Sequence, residues 1–494
     1  MYVGTWAKSA PERAAVIVVA ADGSEHVTTY RELDERSARL ARWLRAAGLG
    51  SGDVVAVLAD NRAELLEVAW AAQRSGLYVT AVNRHLTAAE VDYIVADSGA
   101  RALVTTPELA ELATGSSWSL VRLVTGDSYE KALAEAPDEP LEEVEGDILL
   151  YSSGTTGHPK GIKRPLTGAP MGEAPIGVAG WLTALGMVEG DVYLCPAPLY
   201  HAAPLGWSMS THRLGGTVVV LERFDAEQAL AQLERHRVTH SQWVPTMFVR
   251  MLKLPPEVRA RYDLSAHRVA VHAAAPCPVE VKRAMIDWWG PILTEYYAST
   301  EGIGATMIDS AAWLAHPGSV GRPIVGQVHI LGPDGSELPV GEDGQVWFSG
   351  SLGFSYHNDQ EKTAAAHDGK GRATVGDIGH VDDEGYLYLT DRANFMIISG
   401  GVNVYPREAE DALITHPAVL DVAVIGVPHP DLGEVPHAVV QLAQGQAGSP
   451  ELTTELLAYC RARLASIKCP RTVEYVAELP RTPTGKLVKR LLRR

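Results

Sequence analysis

The sequence predicts an α/β protein with a large amino-terminal region of layered strands and helices, a small β-rich subdomain, and a small α+β domain at the end. Three observations carry that prediction. Apolar runs of strand length alternate with amphipathic helical stretches as far as about Ala273. Beyond Pro317 the pattern becomes short strands broken by Gly and Pro, and past Arg392 helical and strand patterns mix again. With 494 residues, 46% of them apolar, the chain can fill two or more packed cores.

The first clear element is a helix from Thr29 to Gly48, where Thr29 and Glu32 form a capping box and Leu33, Leu40, Ala41 and Leu44 share a face. A buried strand is expected at Val54 to Leu58, a helix from about Arg62 to Ser75, and a further strand at Leu77 to Val82. The same rhythm returns at Ala102 to Thr105, Val218 to Leu221 and Val269 to Ala273, and this spacing implies parallel sheets with helices on their faces. In the final segment a helix is expected near Pro406 to Thr415, a strand near Val422 to Val427, and a helix near Leu452 to Leu464.

Bulk properties exclude several classes. A formal net charge of −17 gives non-specific binding to nucleic acid or an anionic membrane little support, so an anionic substrate must be held by local donors. No apolar run approaches the roughly 20 residues a membrane span needs, and the start MYVGTWAKSAPERAA lacks the pattern of a secretion signal. Cys195, Cys277, Cys460 and Cys469 are scattered without a C-x-x-C pair, which argues against a zinc site or a disulfide framework and favours the cytoplasm. Nothing in the sequence opposes a homodimer.

The most informative stretch is YSSGTTGHPKG, Tyr151 to Gly161, after an expected strand at Ile148 to Leu150. Small residues let backbone N–H groups approach phosphate oxygens, the hydroxyls of Ser152, Ser153, Thr155 and Thr156 add donors, and Lys160 supplies a cation. A Ser/Thr/Gly surface turn is the competing reading of any short piece of it, and the spacing is not that of a P-loop. Other segments are ambiguous alone. In EYYASTEG, Glu295 to Gly302, the tyrosines read as core aromatics and Thr-Glu as a helix cap; HAAAPCP, His272 to Pro278, reads as a strand-to-helix turn. Asp377 in VGDIGHVDDEGYLYLTDR reads as a turn residue, Gly400 and Gly401 as a tight hairpin, and the lysine of PRTPTGKLVKR as a solubilising charge.

Taken together and in this order, the motifs resemble those of the ANL superfamily of adenylate-forming enzymes: acyl- and aryl-CoA synthetases, peptide-synthetase adenylation domains and firefly-type luciferases. The resemblance covers essentially the whole chain and points to the acyl-CoA synthetase branch. It implies an adenylation domain over residues 1–391, with its β-rich subdomain at about 317–391, and a mobile α+β domain over 392–494. ATP, Mg²⁺ and coenzyme A are the implied small molecules, together with a carboxylic acid.

Residue roles follow from the resemblance alone. The loop Ser152, Ser153, Gly154, Thr155, Thr156 and Lys160 would hold the ATP phosphates. Ala273, Ala274 and Ala275 would border adenine, Tyr297 would stack on it, Thr300 would bond the α-phosphate, and Glu301 with Thr156 would hold Mg²⁺. Asp377 would accept from both ribose hydroxyls and Arg392 would add a ribose or phosphate contact. Gly400 and Gly401 would line the thiol tunnel. Asn394, where the family commonly has Asp or Lys, matches the pivot of the mobile domain, and Phe395 replaces a usual acid. Lys486 would bridge the attacking carboxylate and the α-phosphate.

In PAPLYHAAPLGW, His201 matches the aromatic residue beside substrate and thiol. Trp207, Trp243, Val244, Pro245, Thr246, Ala298 and Ile303 would line the acyl pocket, with Ala298 narrowing a wall where the family usually has Gly. No Asp or Lys among them could clamp an ammonium or a second carboxylate, so an apolar acid is expected: fatty, aryl or bulky polycyclic. The same motifs would serve a stand-alone ligase loading a carrier protein, a luciferase-like oxidase, or a catalytically reduced partner that only holds acyl-AMP.

Overall fold

The structure, a computed structural model, describes residues 1–113, 115, 120–152, 159–173, 177–350, 354–392, 395–399, 402–481 and 487–492. It divides into two compact units: Met1–Trp243 with Pro255–Ala270 and Phe354–Thr363, and Val244–Leu254 with Val271–Gly353 and Ala364–Arg494.

In the first unit, residues Tyr30–Ala46 form a helix whose N-cap Thr29 and third residue Glu32 exchange both hydrogen bonds of the expected capping box. Leu33, Leu40, Ala41 and Leu44 are its buried stripe. The strand Val54–Leu58 is buried throughout, as a parallel strand covered on both faces should be. It lies in a five-stranded sheet ordered Val121–Val124, Ala100–Thr105, Val54–Leu58, Tyr78–Ala81, Asp147–Ile148, with every pair parallel. A second set of parallel strands comprises His240–Trp243, Val192–Cys195, Thr217–Leu221 and Ala14–Val19, with Glu25–Thr29 antiparallel at its side.

Deep in this unit a neutral histidine satisfies two elements at once. His212 accepts from the Trp70 indole at Nδ1, 3.1 Å, and its Nε2 donates to Ala15 O at 3.0 Å. Complete burial lowers its pKa to about 4.

The strand expected at Ile148 to Leu150 is broken at its centre. Ile148 pairs with Val79 in the parallel sheet, whereas Leu150 pairs with Ile162 in an antiparallel ribbon of Leu150–Ser152 and Lys160–Ile162. Leu149, fully buried and donating its N–H to Val79 O at 2.9 Å, is where the chain crosses between the two.

In the second unit, the strands Leu293–Ala298, Ala305–Asp309, Ser319–Val325, Leu387–Arg392, Asp377–Val381, Gly344–Ser349 and Gln327–Leu331 follow one another in an antiparallel sheet, whose first two strands precede the β-rich stretch expected beyond Pro317. The terminal segment builds its own sheet around a long hairpin, Val419–His429 with Gly433–Leu442, to which Thr472–Val476 adds in parallel. Helices Pro406–Ile414 and Pro450–Arg461 cover it, and Leu413, Val422, Val424, Val440 and Leu456 are in its core. The strand expected at Val422 to Val427 is longer because each of its residues out to His429 finds a partner across the hairpin.

All four cysteines are free and buried. Among the described residues no helix is long and apolar enough to cross a membrane.

Candidate active site

The residues assigned to adenosine all belong to the second unit, where Tyr297 and Asp377 meet. Glu295 to Ala298 lie on the strand Leu293–Ala298, whose register brings Tyr297 opposite Thr306. The Tyr297 hydroxyl donates to Asp377 Oδ2 at 2.6 Å, a contact across 80 residues of sequence. Asp377 begins the strand Asp377–Val381 and is 7% exposed. A short charge-assisted bond thus fixes both an aromatic face and a carboxylate edge.

Phe348 stands 6.1 Å from the Tyr297 ring, tilted at 38°. Gly304 makes room for it: a Cβ there would come within 2.0 Å of the Phe348 ring, so no side chain fits without moving the wall.

The strand ends in a turn at Ser299 to Gly302, closed by Gly302 N–H to Ser299 O at 3.0 Å, with Gly302 at φ +68°. Thr300 and Glu301 are half-buried on that turn, Ala298 is exposed just before it, and Ile303 is buried just after. The Ala273 to Ala275 loop follows strand Val269–His272; Ala273 is buried, Ala274 is exposed at φ +74°, and Ala275 is half-buried. An alanine in the left-handed region is uncommon, and here it is the exposed residue of the loop. Val244 and Pro245 are buried at the start of helix Pro245–Leu252, with Thr246 half-buried.

In the first unit the ribbon pairs Ser152 with Lys160 and Tyr151 with Gly161, so both ends of the Ser/Thr/Gly loop are pinned. Tyr151 OH donates to Asp97 Oδ2 at 2.6 Å, and His357 N–H donates to Gly161 O at 2.8 Å. Lys160 Nζ lies 4.8 Å from the centre of the Tyr356 ring. His201 is the N-cap of helix Ala202–Arg213 and is tilted against Tyr200 at 4.7 Å. Trp207 and Trp243 are each 1% exposed, and the Trp243 indole donates to Ser241 Oγ at 2.6 Å.

Several assigned residues lie outside the described ones: Ser153, Gly154, Thr155, Thr156, Asn394, Gly400, Gly401 and Lys486, and the side chains of Ser152 and Arg392. Among the described residues no three His, Cys, Asp or Glu side chains gather as a metal cage. The half-buried carboxylate of Glu301 nevertheless fits Mg²⁺ arriving on a triphosphate, because that ion takes one or two carboxylates and keeps phosphate and water for the rest.

Sequence reasoning missed the supports. Phe348, Gly304 and Tyr356 carry no motif. Lys282 has a readable signal: it shares the buried stripe of helix Val279–Trp289 with Met285 and Ile286, a position where a lysine needs a partner.

Comparison with known proteins gives this geometry its context. Residues 3–355 match the family model described as AMP-binding enzyme, and residues 408–486 match its C-terminal domain. Feruloyl-CoA synthase of an Amycolatopsis species is 37% identical over 501 residues, spanning 100% of this chain and 98% of that one. Long-chain-fatty-acid–CoA ligase FadD13 of Mycobacterium tuberculosis is 33% identical over 480 residues, 94% of this chain and 92% of that one. The solved o-succinylbenzoate CoA synthetase MenE of Bacillus subtilis, in complex with its acyl-adenylate intermediate OSB-AMP, superposes with a TM-score of 0.83 at 28% identity, over 100% of this chain and 97% of that one. The same enzyme is also known with ATP and magnesium ion.

The chain therefore belongs to the AMP-binding enzymes, the ANL superfamily of adenylate-forming proteins. Within that class it is an AMP-forming acid–thiol ligase of the acyl-CoA synthetase type, whose small molecules are ATP with magnesium, a carboxylic acid and coenzyme A.

Proposed function

We propose that this enzyme activates an apolar carboxylic acid, fatty, aryl or bulky polycyclic, as its acyl-adenylate and transfers the acyl group to coenzyme A. The observation that carries the reading is the 2.6 Å bond from Tyr297 to Asp377, which couples a ring suited to adenine with a carboxylate suited to two ribose hydroxyls. Relatives named for feruloyl and long-chain fatty acyl thioesters support the apolar acid. So does the character of Trp207, Trp243, Val244, Pro245 and Ile303, all buried and none of them charged.

In the first half-reaction a carboxylate oxygen attacks the α-phosphorus of ATP, the bond to the bridging oxygen breaks, and pyrophosphate leaves. Tyr297, Asp377 and the Ala273 to Ala275 loop hold the nucleoside, and the Ser152 to Thr156 loop with Lys160 receives the phosphates. Glu301 and Thr156 would hold magnesium, which neutralises triphosphate charge when bound. Lys486 interposes an ammonium between two anions that, about 4 Å apart, repel by roughly 4 kcal/mol at an effective dielectric near 20.

In the second half-reaction the thiol sulfur, its proton lost, attacks the acyl carbon and AMP departs. The domain of residues 392–494 turns about Asn394 between the two steps, withdrawing Lys486 and opening the passage lined by Gly400 and Gly401, with His201 beside the reacting groups. The two family matches, which end at 355 and begin at 408, support domain limits near 391. Four free, buried thiols support a reducing compartment, the cytoplasm.

The test is to incubate the protein with ATP, Mg²⁺, coenzyme A and a mixed carboxylic-acid library and to identify products by mass. Acyl-CoA thioesters with equal AMP are expected. Adenylates that accumulate until a carrier protein is added would transfer the acceptor assignment to that carrier. A protein that neither exchanges pyrophosphate nor forms adenylate with any acid would be a binding partner, and the reading would fall.

A further inference from the structure

Behind the adenosine residues lies an ion pair that no substrate role explains. Lys282 is 0% exposed and Glu295 5%, and Nζ donates to Oε2 at 2.7 Å. His272, also fully buried, places Nε2 3.7 Å from the same carboxylate oxygen. The Phe248 ring meets His272 edge-on at 5.4 Å, and Lys282 Nζ lies 4.9 Å from the Trp313 ring centre, so aromatic carbon closes the pair off from water. Complete burial, reinforced by the lysine charge beside it, holds His272 neutral, its pKa well below the usual value.

What the pair joins is informative. His272 is the last residue before the Ala273 to Ala275 loop, and Lys282 lies on the helix Val279–Trp289 that follows it. Glu295 stands two residues before Tyr297 on one strand and shares its face. A single short bond thus ties the loop's far flank to the strand that presents the tyrosine. For stability alone the arrangement is a poor choice, since desolvating two charges offsets most of their attraction and apolar substitutes of equal volume often do as well. Its distinguishing property is direction: an ammonium–carboxylate bond fixes helix against strand at one spacing, where methyl groups would allow sliding.

We propose that Lys282 and Glu295 are positioning residues for the purine ring of ATP, setting the gap between the Ala273 to Ala275 loop and Tyr297. The proposal rests on the reading of those residues as the nucleoside site.

The deciding experiment compares Lys282→Met, Glu295→Leu and the double variant in acid-dependent pyrophosphate exchange, alongside thermal unfolding. Each single change leaves a buried charge alone and is expected to lower Tm sharply. The double variant is expected to recover most of that loss. Its KM for ATP is nevertheless expected to rise about tenfold, and its preference for ATP over GTP to shrink by a similar factor, while KM for the acid moves less than about twofold. A double variant with native Tm, native KM for ATP and native ATP preference would overturn the proposal and leave the pair a packing element.

If the double variant fails to fold, Glu295→Gln keeps an acceptor for Nζ while removing the charge. A rise of about threefold or more in KM for ATP, with the acid's KM unchanged, is then expected, and no rise overturns the proposal. Asp377→Ala separates the two readings: if it leaves KM for ATP unaltered, the nucleoside site itself is misassigned, whatever the ion pair does.

Discussion

Tyr297 and Asp377 illustrate how a residue's role emerges from its partner. Read alone, the tyrosine is a core aromatic and the aspartate a turn former; the 2.6 Å bond between them makes each an argument for the other. Tyr297→Phe keeps the ring and loses that bond, which to a charged acceptor is worth about 1.5 kcal/mol, so KM for ATP is expected to rise roughly tenfold in pyrophosphate exchange. An unchanged KM would mean that the hydroxyl does nothing for nucleotide binding. His212 makes a prediction about acid. Its folded pKa of about 4 lies below the unfolded 6.5, so between those values the unfolded chain binds more protons. Its stabilising contribution is complete above pH 6.5 and is lost as pH falls toward 4, by up to roughly 3 kcal/mol. Urea midpoints at pH 7 and pH 5 are expected to differ less in His212→Gln than in the parent protein. The sequence does not show which residue His212, Lys282 or Phe348 pairs with, even where the buried position of Lys282 signals the need for a partner, because what pairs them is spatial: the indole of Trp70, the carboxylate of Glu295, the ring of Tyr297.

Elements were far more legible than contacts. Helix Tyr30–Ala46 begins after Thr29 because a hydroxyl and a glutamate three residues on satisfy backbone donors that the helix leaves open, and both residues are visible in the sequence. Thr29→Ala removes half of that box and is expected to cost about 1 kcal/mol, seen as a fall of about 1–3 °C in thermal midpoint with kcat unchanged. A normal midpoint would show that other contacts hold the helix start. Fully apolar strands such as Val54–Leu58 were equally plain. The break at Leu149 was not, since one apolar run served two sheets and nothing in its composition marks the crossing. The reach of Val419–His429 past Val427 was hidden too, because the partners of Pro428 and His429 are supplied only across the hairpin.

For the molecule as a whole, the order of motifs was the strongest signal. The chain matches its relatives from the first helix to the last strand, and the two family matches fall in the order the sequence implied. Lys486→Ala tests the two-step scheme at this scale. Pyrophosphate exchange is expected to fall about 100- to 1,000-fold, whereas transfer from supplied acyl-AMP to coenzyme A changes less than about threefold. Equal loss in both assays would refute a lysine that serves only one of them. The four cysteines bear on how such a swivel could be watched. Burial pushes the thiols of Cys195 and Cys460 up to about 11 and about 12 and that of Cys277 well above the ordinary value, which disfavours the reactive thiolate, and Cys469 is shielded by burial as well. A cysteine introduced at the exposed Ala458, on helix Pro450–Arg461, would accept a maleimide dye without any native thiol having to be removed, so fluorescence could follow the terminal lobe in an otherwise unaltered enzyme.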